Sequence, residues 1–399
     1  MTEKLYQKDM YLKEFDAEVV SLEENRLVLD ATAFAPDAGG QPCDLGTING
    51  IRLAAVHEKS GLITHELDAE ADLMKDGQPV FKAGMKVHGI LDWDRRFDHM
   101  QNHLGEHILS GLFKREYDLD NKGFHLGDES GTFDIDAADI TRDMLDHIEI
   151  LANEVIYRSL PVTVQVIKDA DEARKLPLRK ELKASEDISV VTVEGVDCVA
   201  CCCPHPSDTA QIGIIKLIKT EKYKGMTRIH FKCGRRALED YRQKHAVMGQ
   251  ICEKYSADEF TLLDKMKTAD EKNEAMHREM NRLRDALAEI RAREFLAAAD
   301  TFVLGQLDKA QLEDLRQVAR KLLKETDLPV ILVSLSEKCV FLTHSGKSEM
   351  KCGALVKEYA LGAGGKGGGG DSQAQVFFTD TGLMNNFVDI VKAGLKNGR

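Results

Sequence analysis

Gln101-Asn102-His103-Leu104-Gly105-Glu106-His107-Ile108-Leu109-Ser110 sets two histidines four residues apart at the start of an apolar-periodic run. On a helix, positions i and i+4 lie on the same face, so both imidazoles reach one metal ion. Cys201 and His205 repeat this spacing later in the chain. Three imidazoles and one thiolate suit zinc, which binds N and S ligands at about 2.0 and 2.3 Å. We therefore predict a Zn²⁺ site formed by His103, His107, Cys201 and His205.

The identity of the cysteine ligand rests on spacing alone. A single His-x-x-x-His pair is weak evidence, because core histidines satisfied by a hydrogen bond are common. The second pair strengthens the prediction, since two pairs with equal spacing and compatible chemistry rarely arise together by accident. Cys198, Cys202 and Cys203 flank Cys201 and stay open as alternative ligands.

A competing interpretation of the same helix is a protease site. His103, Glu106 and His107 fit His-x-x-Glu-His, the inverted metalloprotease signature, in which Glu106 is the general base. Such a site needs a downstream carboxylate ligand and an open position for water. Cys201 and His205 would then be coincidental, so we keep this interpretation as the weaker alternative.

Composition indicates an ordinary globular protein. The 399 residues are 43% hydrophobic and 30% charged, and the net charge is −13. This acidity argues against indiscriminate nucleic-acid binding, although a local basic surface remains compatible with it. Four of the nine cysteines lie within six residues, which favours metal binding or thiol chemistry over a disulfide framework. Because no apolar run has the length of a membrane span and the start lacks a signal-peptide pattern, we expect a cytoplasmic protein without membrane contact.

The order of apolar patterns predicts an α+β fold with four domains. Short alternating stretches separated by turn residues predict a small β-barrel over 1–92. Helices and antiparallel strands in irregular order predict a zinc-containing α+β domain over 93–240. A helical linker of coiled-coil character is predicted over 241–299, and a small glycine-rich α/β domain over 300–399.

The linker carries an apolar seam with 4-3-4-3 spacing from Leu262 to Ile290, including Met276, Leu283 and Leu287. Such a seam predicts packing on a partner helix. The partner is either a neighbouring helix of the same chain or a second copy. The second choice predicts a homodimer formed through 262–290 and the C-terminal domain.

A glycine-rich stretch over 361–371 is predicted as a loop that follows a helix. Its glycines formally match the dinucleotide fingerprint, but that motif opens a helix after a strand, so we reject this interpretation. The phosphate-loop pattern also fails, because Gly rather than Ser or Thr follows the lysine. A lysine among exposed backbone N–H groups can still hold a phosphate. The predicted nucleic-acid-binding residues are Gly364, Gly365, Lys366 and Gly367.

The order of these motifs resembles the editing half of alanyl-tRNA synthetase. The motifs that carry the resemblance are Gly39-Gly40-Gln41, Asn102-His103-x-x-x-His107, Gly195-Val196-Asp197 before Cys201-x-x-x-His205, Thr209, Ile212-Gly213, the long helix and the glycine-rich end. The resemblance is strongest to the free-standing AlaX-type editing proteins in their long form, and it covers nearly the whole chain. The synthetase usually has Cys-Gly-Gly-Thr-His where this chain has Cys201-Cys202-Cys203-Pro204-His205.

The resemblance implies a deacylase that hydrolyses the ester of mischarged tRNA-Ala carrying serine or glycine. Because no aminoacylation domain precedes Met1, we expect deacylation rather than charging. Thr32 and Gln41 are candidates for lining the amino-acid pocket, although Gln41 alternatively only holds its turn. Glu106 is expected to orient a water or to be an outer partner of a zinc histidine. The alternative function is a zinc-stapled RNA-binding protein without catalysis.

Overall fold

The computed structural model describes residues 1–70, 73–75, 78–182 and 186–396. Its backbone forms two compact units, Met1–Gln250 and Ile251–Arg399. Both units mix helices with sheets, so the predicted α+β class is confirmed. The finer domain boundaries at 92, 240 and 299 stay predictions.

The first unit begins with short strands and one helical turn, α1 (Leu5–Lys8). The strands, in chain order, are β1 (Glu3–Lys4), β2 (Glu14–Glu23), β3 (Arg26–Leu29), β4 (Ala31–Thr32), β5 (Gly46–Ile48), β6 (Ile51–Lys59), β7 (Leu62–Leu67), β8 (Met74–Lys75), β9 (Gln78–Pro79) and β10 (Lys86–Leu91). Six of them close in the order β10-β2-β3-β7-β6-β5. Alternate residues of β2 are buried, as expected for strands with one face on a core.

The long helix α2 (Trp93–Tyr117) is central to this unit. Asp92 begins it, because the side chain accepts a hydrogen bond from the backbone N–H of Arg95. Buried residues lie on all sides of the helix between Asp98 and Phe113, so it is a core element rather than a surface one.

Two antiparallel sheets and three further helices complete the unit. The remaining strands are β11 (Asn121–Leu126), β12 (Gly131–Ile135), β13 (Val162–Asp169), β14 (Glu186–Val193), β15 (Asp197–Ala200), β16 (Ile215–Tyr223) and β17 (Met226–Cys233). The sheet orders are β11-β12-β17-β16 and β13-β14-β15. The helices are α3 (Arg142–Tyr157), α4 (Ala170–Ala173) and α5 (Gly234–Tyr255), whose last residues lie beyond Gln250, and a 3-10 turn covers Thr209–Ile212.

The second unit contains α6 (Leu262–Ala297), α7 (Leu312–Glu325), the short turn α8 (Cys352–Leu355) and α9 (Thr381–Lys396). Its sheet has the order β18-β19-β20-β22-β21. These strands are β18 (Val303–Leu307), β19 (Val330–Ser334), β20 (Cys339–Thr343), β21 (Lys366–Gly369) and β22 (Gln373–Phe377). The linker predicted over 241–299 is therefore two helices, which separate near Ser256, where the backbone is left-handed at φ 49°.

The prediction of a loop over 361–371 is wrong in its central part. Lys366–Gly369 is the edge strand β21, which pairs antiparallel with β22. A Cβ on Gly367 would lie 2.1 Å from the backbone oxygen of Gln375, so the glycine permits close strand approach. Part of the backbone is thus engaged in the sheet, whereas Lys366 is exposed at its edge.

The apolar seam of α6 is largely exposed, since Met276, Leu283 and Leu287 are each more than half exposed. The residues of α6 that are buried in a cluster with α7 are Ala288 and Ala292, which lie outside the 4-3-4-3 spacing. The coiled-coil partner stays a prediction. Among the residues that the structure describes, no helix combines the length and the apolarity needed to cross a membrane.

Candidate metal centre

Helix α2 places His103 and His107 on one face, one turn apart, and both side chains are buried. Their ring centroids are 5.0 Å apart. Gly105 lies between them on the face that packs against β17, and a Cβ there would meet Cys233 Sγ at 2.3 Å. The helix therefore lies too close to the sheet for any larger residue at position 105.

The segment that follows β15 brings Cys201 and His205 to the same point. Cys201 Sγ lies 3.7 Å from His103 Nε2 and 3.8 Å from His205 Nε2. One ligand atom from each of the four residues lies within 4.8 Å of the others. Tetrahedral zinc would separate S and N ligands by about 3.6 Å, given bonds of about 2.3 and 2.0 Å. The four residues that the spacing selected thus form a cluster that fits a metal ion, and Cys201 is the cysteine in it.

The neighbouring cysteines lie outside the four-residue cluster, although Cys202 and Cys203 line the same cavity. Cys198 is buried and accepts a hydrogen bond from Thr192, and Cys203 contacts the backbone oxygen of Ala38 at 3.5 Å. Cys202 is exposed. The grouping of Cys201 and His205 with both helix histidines also disfavours the His-x-x-Glu-His interpretation, which treats that pair as coincidental.

The pKa shifts of Cys201 and His205 favour the protonation states in which these side chains bind a metal ion. A hydrogen bond from Cys203 lowers the pKa of the Cys201 thiol well below its ordinary value despite burial, and His103 and His205 add to this effect. Burial lowers the pKa of His205 to about 4. A thiolate and a neutral imidazole are the forms that bind metal. Burial also acts to lower the pKa of His107, but Asp197 and Cys201 raise it to about 10.

The outward nitrogens of the two helix histidines have different partners. His103 Nδ1 lies 2.7 Å from Gln41 Oε1, and His107 Nδ1 lies 3.2 Å from Asp197 Oδ2. Each contact leaves Nε2 of the ring for the cluster. Gln41 therefore does more than hold its turn, although its backbone also pairs with Ala38.

The cluster lies in the wall of a cavity of ≈ 390 Å³. Other residues that line it include Gly39, Glu106, Asn121, Phe124, Arg179, Lys180, Ser189, Cys202 and Cys203. Phe124 stacks on His103 with ring centroids 5.0 Å apart. The cavity therefore combines an aromatic wall, a potential metal ion and groups of both charges.

Glu106 belongs to this wall, but its partners differ from the predicted ones. Its Oε1 accepts hydrogen bonds from Ser110 Oγ and, at 2.6 Å, from Asn121 Nδ2. Burial acts to raise the pKa of Glu106, but His107 and Arg179 lower it below its ordinary value overall. The residue is thus a buried carboxylate fixed by neutral donors, not the hydrogen-bonded partner of a cluster histidine.

Thr32 does not reach the cavity. Its hydroxyl lies 2.8 Å from His65 Nε2 and accepts a hydrogen bond from the backbone N–H of Phe34, all within the core of the strands. The structure therefore does not bring Thr32 to this cavity, and its assignment to the amino-acid pocket stays a prediction. Lys366 and its neighbouring glycines belong to the second unit, and their role in nucleic-acid binding stays a prediction.

Sequence reasoning missed Asn121, Phe124 and Arg179 and gave Asp197 no role. Asp197 begins strand β15, four residues before Cys201, and this spacing gives no sign of its contact with His107. Arg179 carries no local signal, because its contact with the site depends on the pairing of distant segments.

Comparison with known proteins agrees with this geometry. Residues 188–230, which include Cys201 and His205, match the family described as "Threonyl and Alanyl tRNA synthetase second additional domain". The alanyl-tRNA editing protein AlaX-L of Pyrococcus horikoshii is 30% identical over 94% of this chain and 94% of its own length. The chain belongs to the AlaX family of alanyl-tRNA editing proteins.

Shorter and longer relatives cover different shares of this AlaX chain. The AlaX-M protein of Methanosarcina barkeri is 34% identical over 58% of this chain and 98% of its own length. The alanine–tRNA ligase of Thermococcus kodakarensis is 30% identical over 94% of this chain, which spans only 41% of that enzyme. The AlaX family is thus related to the editing region of alanyl-tRNA synthetase, as the motif order predicted.

Proposed function

We propose that this protein hydrolyses the ester bond of tRNA-Ala mischarged with serine or glycine. The observation that carries the proposal is the cluster of His103, His107, Cys201 and His205 in the wall of a cavity, in a chain of the AlaX family. An aminoacyl ester is already activated, so the protein has mainly to bind the terminal nucleoside and place a water. A cavity of ≈ 390 Å³ lies in the size range of small-molecule sites.

The metal we assign to the cluster is Zn²⁺. Three imidazoles and one thiolate within 4.8 Å of one another suit its preference for mixed N and S ligands. A zinc ion held there would supply a positive centre that shapes the cavity and attracts the amine or a ribose oxygen of the substrate. Four protein ligands would make the set formally closed.

The residues around the cluster then have separate tasks. Glu106, fixed by Ser110 and Asn121, is placed to orient a water in the cavity. Gln41 contacts His103 but is not among the residues that line the cavity, so it is the candidate for sensing the substrate hydroxyl through that contact. A site that hydrogen-bonds a substrate hydroxyl strongly rejects an analogue that lacks it, which would favour serine over alanine.

The second unit offers a candidate contact for tRNA and a candidate surface for dimerisation. Exposed Lys366, with Gly364, Gly365 and Gly367, is a candidate contact for tRNA phosphates. The exposed apolar residues of α6 are candidates for a homodimer through 262–290 and the C-terminal domain.

A direct assay of substrates tests the proposal. Purified protein loaded with Zn²⁺ is expected to release serine or glycine from tRNA-Ala at least about tenfold faster than alanine. The measurement is loss of radiolabelled aminoacyl ester over time against buffer alone. If no ester is cleaved faster than in buffer while zinc is bound stoichiometrically, the deacylase proposal is wrong.

That negative result would favour the second candidate, a zinc-stapled RNA-binding protein. The cluster of four candidate ligands favours this alternative, because structural zinc sites have four protein ligands. Binding of uncharged tRNA-Ala without hydrolysis would then be the remaining activity.

Gly40 offers a test of the contact between the segment that carries Gln41 and Phe124 in the cavity wall. Its φ is +85°, and a Cβ there would lie 2.2 Å from the backbone oxygen of Phe124. Gly40→Ala is therefore expected to displace Gln41 or Phe124 and to lower the deacylation rate about tenfold or more, since small misplacements in a site are costly. Deacylation of Ser-tRNA-Ala at fixed enzyme concentration measures this effect.

Gly50 provides the matched control for that substitution. It also has a positive φ, +82°, but a Cβ there meets nothing within 4 Å. Gly50→Ala thus carries the same backbone strain without the clash, and we expect it to retain the deacylation rate. Equal losses in both variants would show that backbone strain, not the contact with Phe124, explains the effect.

A further inference from the structure

Arg179 is linked to the metal cluster through one carboxylate. Its Nε donates to Asp197 Oδ1 at 2.6 Å and its Nη2 donates to Oδ2 at 3.2 Å. Asp197 Oδ2 in turn lies 3.2 Å from His107 Nδ1. The side chains of Arg179, Asp197 and His107 are 6%, 1% and 3% exposed, so the whole line is shielded from water.

This arrangement restricts the imidazole of His107. A carboxylate on the outer nitrogen of a ligand histidine fixes the ring orientation and raises its basicity as a ligand. Asp197 can do this only if its own position is fixed, and the guanidinium fork of Arg179 engages both carboxylate oxygens. The cation also offsets the cost of burying the Asp197 charge.

The other two histidines of the cluster are held differently. His103 has the neutral amide of Gln41 as its outer partner. Among the residues that the structure describes, neither His107 Nδ1 nor His205 Nδ1 makes a hydrogen bond of standard geometry. His107 Nδ1 nevertheless lies 3.2 Å from Asp197 Oδ2, an ion-pair contact that His205 lacks in the described part of the chain. Within that part of the chain, His107 is the cluster histidine that contacts a carboxylate, and Arg179 is the residue that fixes this carboxylate.

We propose that Arg179 is a positioning residue of the metal centre, which acts through Asp197 on the ring of His107 and thereby sets the metal affinity of the cluster. The inference rests on the metal site proposed above and deepens it. It concerns metal binding rather than hydrolysis, so it is tested without the deacylation assay.

The experiment measures the affinity of the full-length protein for Zn²⁺ in competition with a chromophoric chelator. Asp197→Asn and Arg179→Met are each expected to weaken Zn²⁺ binding by roughly 10- to 100-fold, the usual effect of losing an outer partner. Arg179→Lys keeps the charge but not the fork, so an intermediate loss is expected. The absorption spectrum of the Co²⁺-loaded protein is expected to change in Asp197→Asn, because the ring of His107 is no longer fixed.

Arg228→Met is the matched control, because Arg228 engages both oxygens of Asp134 at 2.7 and 2.9 Å in the same unit. It removes an ion pair outside the cavity and should leave Zn²⁺ affinity within about twofold, since distant sites act independently.

Equal losses in Arg179→Met and Arg228→Met, or unchanged affinity in Asp197→Asn, would overturn the inference alone. Failure of the unsubstituted protein to bind Zn²⁺ would instead overturn the proposed metal site and the inference with it. Circular dichroism of each metal-free variant checks folding, and Arg179→Lys serves as the test if Arg179→Met does not fold.

Discussion

Substitution of His103 by alanine is expected to lower deacylation of Ser-tRNA-Ala by about 10³-fold or more and to abolish stoichiometric Zn²⁺ binding. His103 is one of four cluster residues, it lies 3.7 Å from Cys201 Sγ, and it stacks on Phe124 in the cavity wall. Loss of a metal centre removes several kcal/mol of stabilisation, and each 1.36 kcal/mol is a factor of ten in rate. Metal analysis and single-turnover deacylation on the same preparation measure both effects.

His99 supplies the control for that substitution, because it lies one turn earlier on the same helix and is also buried. It lies outside the four-residue cluster, so His99→Ala is expected to keep stoichiometric zinc and most of the deacylation rate. Full activity of His103→Ala without zinc would show that the metal is dispensable for hydrolysis. Stoichiometric zinc in His103→Ala would show that the ligand assignment is wrong.

The ligand pairs were predictable because their geometry is local. A helix fixes the relation between positions 103 and 107, and only their chemistry had to be recognised. The partners of those histidines were not predictable in the same way. Gln41 is 62 residues from His103, and the contact between them depends on how the strands of the first ninety residues meet α2.

Other differences between prediction and structure have equally specific causes. Glycine has low strand propensity, so Lys366–Gly369 was predicted as a loop, yet the lack of side chains is what lets β21 approach β22 closely. The sequence predicts Thr32 at the amino-acid pocket, but the structure places its hydroxyl beside His65 in the core. The sequence pattern does not show which residues of this region face the cavity.

Arg96 is buried although arginine is rarely buried without a partner. Its side chain is 0% exposed. Its Nε lies 2.9 Å from both carboxylate oxygens of Asp44, its Nη1 donates to the backbone oxygen of Met10, and its Nη2 donates to that of Ala33. Asp44 also accepts a hydrogen bond from the backbone N–H of Ala35. This network ties helix α2 to the segment that carries Gln41.

Asp44→Ala is therefore expected to lower the free energy of unfolding of the first unit by about 3 to 5 kcal/mol, because it leaves the Arg96 cation buried without a counter-charge. The measurement is the urea midpoint followed by the fluorescence of Trp93, the single tryptophan, which begins the helix that carries Arg96. We also expect weaker Zn²⁺ binding, since displacement of this segment moves Gln41 away from His103.

The exposed pair Arg142 and Asp146 on α3 is the matched control, because its side chains are 72% and 49% exposed. Asp146→Ala should change stability by less than about 1 kcal/mol. Combining Asp44→Ala with Arg96→Met removes both charges, so the double variant should be less destabilised than the sum of the single variants. If Asp44→Ala shifts the urea midpoint no more than Asp146→Ala does, the buried pair does not hold α2 to the strands, and the position of Gln41 must depend on other contacts.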